Sequence, residues 1–180
     1  MITLIMGPMF SGKTSELLTK LERASIAKKR VVLLRPATDN RGFLSHSGKK
    51  LNGFKEEFVK DLTDFDTSLY DVIGVDEGQF HKHLKNFCVQ ESKKGKDIYI
   101  SALHATSESE MFEQIIETVP YCDIIVKLNA ICTRCGSELG NYTFFKGGKK
   151  TEKVVVGGAD AYTALCEQCY FAELGELSDS

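Results

Sequence analysis

GPMFSGKT, Gly7 to Thr14, follows directly on the apolar run ITLIM and precedes a helical pattern, and its reading decides the fold. The stretch fits GxxxxGK[ST], and strand, loop and helix in that order are the context that confirms such a match. Glycines let the backbone curl so that successive N–H groups face phosphate oxygens. Gly7, Pro8, Met9, Phe10, Ser11 and Gly12 would form that cradle. Lys13 would reach the β and γ phosphates of a nucleotide, and the Thr14 hydroxyl would ligate Mg²⁺. From average residue usage, a chance match in a chain of this length is on the order of one per cent. The plainer reading, a glycine turn before a helix, loses to the context. The stretch reads as a nucleotide site.

Working outward, Ile2 to Met6 reads as a buried strand. SELLTKLERASIAKK reads as a helix with Leu17, Leu18, Leu21 and Ala24 on its apolar face. RVVLLRP is a second strand, stopped by Pro36, and residues 38–53 are polar and glycine-containing, a loop or flexible hairpin. DVIGVDE, DIYISAL and DIIVKL are three further strands. They are separated by helical stretches at Phe80 to Lys93 and in SEMFEQIIETV, the latter ended by Pro120. The alternation predicts an α/β fold, a parallel sheet flanked by helices on both faces. After Ala130 the pattern breaks into cysteines, turns and the β-prone runs NYTFF and KVVVGG. The expected organisation is a nucleotide-binding domain over 1–130, a small zinc-binding domain over 131–172 and a frayed tail over 173–180.

VIGVDE supplies a partner for the loop, because an acid at a strand end would stand beside it. Asp76 can hold Mg²⁺ directly or through water. Alone this signal is weak, since many strands end in acids. Glu77 points elsewhere than Asp76 and could take a proton from an attacking hydroxyl, that of water or of a substrate. The spacing does not separate a hydrolase from a kinase. Cys132 and Cys135 in ICTRCG, with Cys166 and Cys169 in LCEQCY, form two CxxC pairs. Four thiolates can close a tetrahedral Zn²⁺ site with no open position, hence a structural one. Cys88 and Cys122 read as core thiols. His46, His81, His83 and His104 show no paired ligand spacing and read as solvated or loop residues. KVVVGG reads either as a hairpin arm or as an excursion, clasped by the zinc site, that reaches over a neighbouring site.

Composition narrows the partners. The net charge of −2 argues against a nucleic-acid binder that relies on a broad basic surface. No apolar run approaches the roughly 20 residues of a membrane span. The start MITLIMG lacks a basic leader and a small-residue cleavage site, which makes a cytoplasmic location the expectation.

Taken together, GPMFSGKT, DNR at Asp39 to Arg41, DEGQF at Asp76 to Phe80, and the double CxxC enclosing VVVGGADAY resemble the zinc-containing (type II) thymidine kinases. The resemblance runs from Ile2 to about Phe171. It implies a P-loop α/β domain, a zinc-bearing lasso domain, and transfer of the ATP γ-phosphoryl to the 5′-hydroxyl of thymidine. Glu77 would be the general base, and Lys13 and Arg41 would stabilise the transferring phosphoryl. Thr14 and Asp76 would stand on the magnesium side. Asp39, Asn40 and Arg41, with Asp76, Glu77, Gly78 and Gln79, would flank the phosphates. Met9, Phe80, Leu103 and Phe112 match positions that line the nucleoside pocket. Lys153, Val154, Val155, Val156 and Gly157, with Tyr162, would close over the base. The family also implies a homotetramer and feedback binding of dTTP.

Three positions depart from the family pattern: Ser107 stands where an aromatic usually stacks on the base, His104 where an acid is common, and Lys153 where an apolar residue is common. A serine cannot stack, and base–aromatic stacking is worth about 1–3 kcal/mol. Either Phe112 or Tyr162 compensates, or the base preference differs. A P-loop ATPase in which Glu77 activates water and a zinc-ribbon interaction module are the competing readings. DEGQF together with GGADAY favours the kinase.

Overall fold

Apolar runs made the strands readable, and a computed structural model, which describes residues 1–37, 53–147 and 158–178, shows where they go. The strands are β1 (Ile2–Gly7), β2 (Val31–Pro36), β3 (Lys55–Val59), β4 (Val72–Val75), β5 (Asp97–Leu103) and β6 (Ile124–Lys127). They form one parallel sheet in the order β3-β2-β4-β5-β1-β6. All residues of β2 and β4 are buried, including successive ones whose side chains point to opposite faces. A strand buried on both faces needs cover on both, which is the α/β arrangement the alternation predicts. Helix α1 (Lys13–Ile26) buries Leu17, Leu18 and Leu21 and packs on β2 and β4. Helices α2 (Leu84–Lys93) and α3 (Glu113–Thr118) pack against each other.

The chain divides into two compact units: Met1–Met6, Lys13–Ala102 and Glu113–Val126 make the first, and Gly7–Gly12, Leu103–Phe112 and Lys127–Ser180 the second. In the second, β7 (Tyr142–Phe145) and β8 (Tyr162–Leu165) form an antiparallel pair in the register Phe145↔Tyr162. Helix α4 (Glu167–Ser178) packs on both strands.

Several boundaries differ from the sequence reading. Strand β3, KEEFV, carries too few apolar residues to announce itself, yet pairs along β2 from Val32↔Lys55 to Pro36↔Val59. Helix α2 begins at Leu84 rather than Phe80, because His83 is left-handed (φ 60) and Gly78–Phe80 form a 3-10 turn. Helix α3 begins at Glu113, since Ser109 also has a positive φ of 63 and a helix cannot pass through it. Where a frayed tail was expected from residue 173, α4 continues to Ser178, and Glu173 pairs with Arg134 at 3.0 Å.

Candidate functional site

In the first unit the carboxyl ends of β4 and β5 and the first turn of α1 bring three polar side chains together. Asp76, the residue after β4, is 2 % exposed. The Thr14 hydroxyl donates to its Oδ1 at 3.1 Å, and the Ser101 hydroxyl on β5 donates to the same oxygen. Arg35 at the end of β2 places Nη2 3.5 Å from Asp76 Oδ2, and its Nε lies 2.6 Å from Glu56 Oε1 of β3. Burial raises the Asp76 pKa above the ordinary carboxylate range and the neighbouring Glu77 charge adds to this, while Arg35, Ser101 and Thr14 oppose it. An acid held this way, beside a hydroxyl at a helix start, has the donor set of a divalent-cation site with oxygen ligands. Thr14 and Asp76, both expected on the magnesium side, are thus in direct contact.

Glu77 follows at φ 52, ψ 45. This left-handed conformation is uncommon for a residue with a side chain and persists only where its surroundings impose it. Its N–H donates to Asp76 Oδ1 at 3.1 Å, and the Gln79 amide donates to its Oε2 at 2.6 Å. The structure thus holds Glu77 apart from Asp76 by backbone twist. His81, read from the sequence as a solvated or loop residue, lies in a loop but is only 2 % exposed, with Nε2 3.2 Å from the Asp76 carbonyl oxygen. Burial lowers its pKa, opposed by the bond to that carbonyl. Gly78 and Gln79 are buried, and Phe80 is 46 % exposed.

In the second unit the loop Gly7–Gly12 has the geometry its glycines permit. A Cβ on Gly7 would lie 2.5 Å from the Leu128 carbonyl oxygen, and Gly12 adopts φ +82. Phe10 is left-handed as well, at φ 65. Ser11 donates to the Pro8 carbonyl at 2.9 Å, and the Met9 N–H donates to Thr143 Oγ1 of β7 at 3.0 Å. Ser107 is buried, its hydroxyl on Glu108 Oε1 at 3.0 Å, and its carbonyl accepts the Tyr170 hydroxyl at 2.7 Å. Tyr170 itself stacks on Tyr142, with centroids 4.5 Å apart. Met9, Leu103 and Phe112 are half-buried, and Tyr162 is buried against Phe145. A groove of about 690 Å³ is lined by Phe10, Phe144, Tyr162 and Leu165, together with Arg134 and Lys146. It includes Tyr162 of the predicted nucleoside residues but not Met9, Leu103, Ser107 or Phe112.

Cys132, Cys135, Cys166 and Cys169 converge, their sulfurs all within 4.8 Å of one another, with Cys135 and Cys166 3.6 Å apart. A tetrahedral Zn–S bond of about 2.3 Å gives a sulfur–sulfur edge of about 3.8 Å. The four thiols fit zinc. Burial works against ionising Cys132, yet the N–H groups of Cys166, Cys135 and Arg134 outweigh it and bring the thiol down to about 6. Burial and the other thiols push Cys169 up to about 12. Four sulfurs this close cannot all ionise without a cation among them.

Asp39, Asn40, Arg41 and Lys153, Val154, Val155, Val156 and Gly157 lie outside the described residues, as does His46. The sequence reading missed Ser101, Arg35, Glu56, Thr143 and Tyr170. Arg35 carried a signal: a lone cation inside VVLLRP must find a buried acid. Serine and threonine in strands carry none.

A family model described as thymidine kinase matches residues 1–170. The thymidine kinase of vaccinia virus (strain Western Reserve) is 35 % identical over 173 residues, covering 94 % of this chain and 96 % of its own. Those of variola virus (34 %) and monkeypox virus (35 %) align over the same shares. With the fold and the Thr14–Asp76 pair, these matches define the class, an ATP-dependent nucleoside kinase. Within it, the chain belongs to the thymidine kinase family, and thymidine kinase activity is the function that membership carries. Among the described residues no helix is long and apolar enough to cross a membrane.

Proposed function

We propose that the chain transfers the γ-phosphoryl of ATP to the 5′-hydroxyl of thymidine, with Glu77 as the proton acceptor. The observation that carries this is the left-handed Glu77, braced by Gln79, next to an Asp76 that is already engaged by Thr14. Two adjacent acids with different environments can take different tasks. Glu77 removes the hydroxyl proton, while Asp76 and Thr14 hold the Mg²⁺ that accompanies ATP. The ion supplies charge neutralisation at the phosphates. Gly7 to Gly12 cradle the phosphates, and Lys13 and Arg41 offset charge on the group in transfer. Asp39, Asn40, Gly78 and Gln79 flank them. Met9, Phe80, Leu103, Ser107, Phe112, Tyr162 and Lys153 to Gly157 serve the nucleoside. The four cysteines hold a structural Zn²⁺, which anchors residues 131–172 as a lasso domain, and residues 1–130 form a nucleotide-binding domain. A homotetramer, feedback binding of dTTP and a cytoplasmic location complete the reading and rest on the resemblance.

The test is purified protein with γ-labelled ATP, with and without thymidine. Label on thymidine monophosphate, formed only when the nucleoside is present, supports the reading; equal release of phosphate without nucleoside refutes it.

A further inference from the structure

The peptide that joins Asp76 to Glu77 is held on both edges. Its carbonyl oxygen lies 3.2 Å from His81 Nε2, and its N–H donates to the Asp76 carboxylate at 3.1 Å. Those contacts fix the rotation of the peptide plane, and with it ψ of Asp76 and φ of Glu77. Glu77 needs that restraint, because its φ of 52 lies where a Cβ crowds the backbone. A carbonyl oxygen only accepts, so Nε2 of His81 carries the proton. The ring is 2 % exposed and held locally, since the His81 N–H closes the 3-10 turn on the Gly78 carbonyl at 3.2 Å. Gln79 restrains the Glu77 carboxylate at 2.6 Å. One neighbour thus fixes the side chain and another the main chain.

We propose that His81 is a positioning residue for phosphoryl transfer: its ring clamps the Asp76 carbonyl and so keeps Glu77 in the left-handed conformation from which it accepts the proton. This rests on the reading of Glu77 as proton acceptor. With 2 % of its surface exposed and Nε2 on the Asp76 carbonyl, His81 offers no free face to a ligand, so its loss should slow turnover without weakening binding.

The test compares full-length His81→Phe and His81→Gln by kcat and by KM for ATP and for thymidine. The phenyl ring fills the site without a donor, whereas the glutamine amide can donate to the same carbonyl. The expected result for His81→Phe is a kcat lowered about tenfold or more, because small misplacements of a reacting group are costly. Both KM values should stay within about twofold, the signature of a loss confined to the transition state. His81→Gln should recover kcat to within about threefold of wild type. In a Glu77→Gln background, His81→Phe should have no further effect on kcat, since the two changes remove the same function. A wild-type kcat in His81→Phe, an equal loss in His81→Gln, or multiplicative losses in the double variant would overturn the proposal while leaving Glu77 in its role. Should His81→Phe fail to fold, His81→Asn, too short to reach the carbonyl, takes its place with the same expectation. A Glu77→Gln enzyme with wild-type kcat would instead remove the proton-acceptor reading itself, and the proposal with it.

Discussion

Arg35→Met removes the cation from a buried pair and leaves Glu56 behind. The two side chains are 3 % and 1 % exposed and 2.6 Å apart, so solvent offers neither a substitute partner. Breaking one side of such a pair typically costs about 3–5 kcal/mol, mostly the penalty of the stranded charge. For a chain of this size that corresponds to a fall in Tm of about 6–20 °C. Asp76 loses a contact at 3.5 Å but keeps donors from Thr14, Ser101 and the Glu77 N–H, so the penalty centres on Glu56. Adding Glu56→Leu removes the stranded charge, and the double variant should recover most of the loss, because apolar replacements of buried pairs are often neutral or better. Guanidinium denaturation followed by circular dichroism measures the midpoints of all three variants. A loss below about 1 kcal/mol for Arg35→Met, or a double variant no more stable than the single, would refute the reasoning.

Chelating zinc from the native protein should cost at least about 4 kcal/mol, the mass-action value at a thousandfold excess over Kd. Calorimetry should show Tm falling by about 8–16 °C; a change below about 2 °C would mean the cysteines do not hold the fold through a metal. Tyr170→Phe strips the hydroxyl from the buried Ser107 carbonyl and should cost about 1–3 kcal/mol in denaturant titration, with no loss meaning that water replaces it. Because burial lowers the His81 pKa, the unfolded chain binds a proton there that the folded chain does not. Stability from this group is therefore full above its unfolded pKa of about 6.5 and is lost as pH falls through that value toward the lowered one. His81→Gln should flatten the slope of unfolding free energy as pH falls below about 6.5, and an unchanged slope would place the titration elsewhere.

The parallel sheet was legible because strands buried on both faces must be written largely as apolar runs, as VVLL and VIGV are. Strand β3 was not, because KEEFV owes its place to pairing with β2 and to the Arg35–Glu56 contact, neither visible within the segment. Thr14 and Asp76 were readable as parts of motifs, and their contact followed from the ends of β4 and α1 facing each other. The twist at Glu77 was not, since nothing in VDEGQF marks a left-handed glutamate. Nor was the burial of His81, which depends on the turn that twist creates. The four clustered cysteines stood out by spacing alone, whereas Tyr170 gave no sign that its hydroxyl would reach the backbone of Ser107.

Glu77→Gln keeps the size of the side chain and an oxygen for the Gln79 amide while removing the proton-accepting charge. Transfer of label from γ-labelled ATP to thymidine, measured alongside the ATP Kd of the same preparation, tests the central claim most directly. An unchanged Kd with transfer slowed at least about 10²-fold is the expected result. Transfer at the wild-type rate would contradict it.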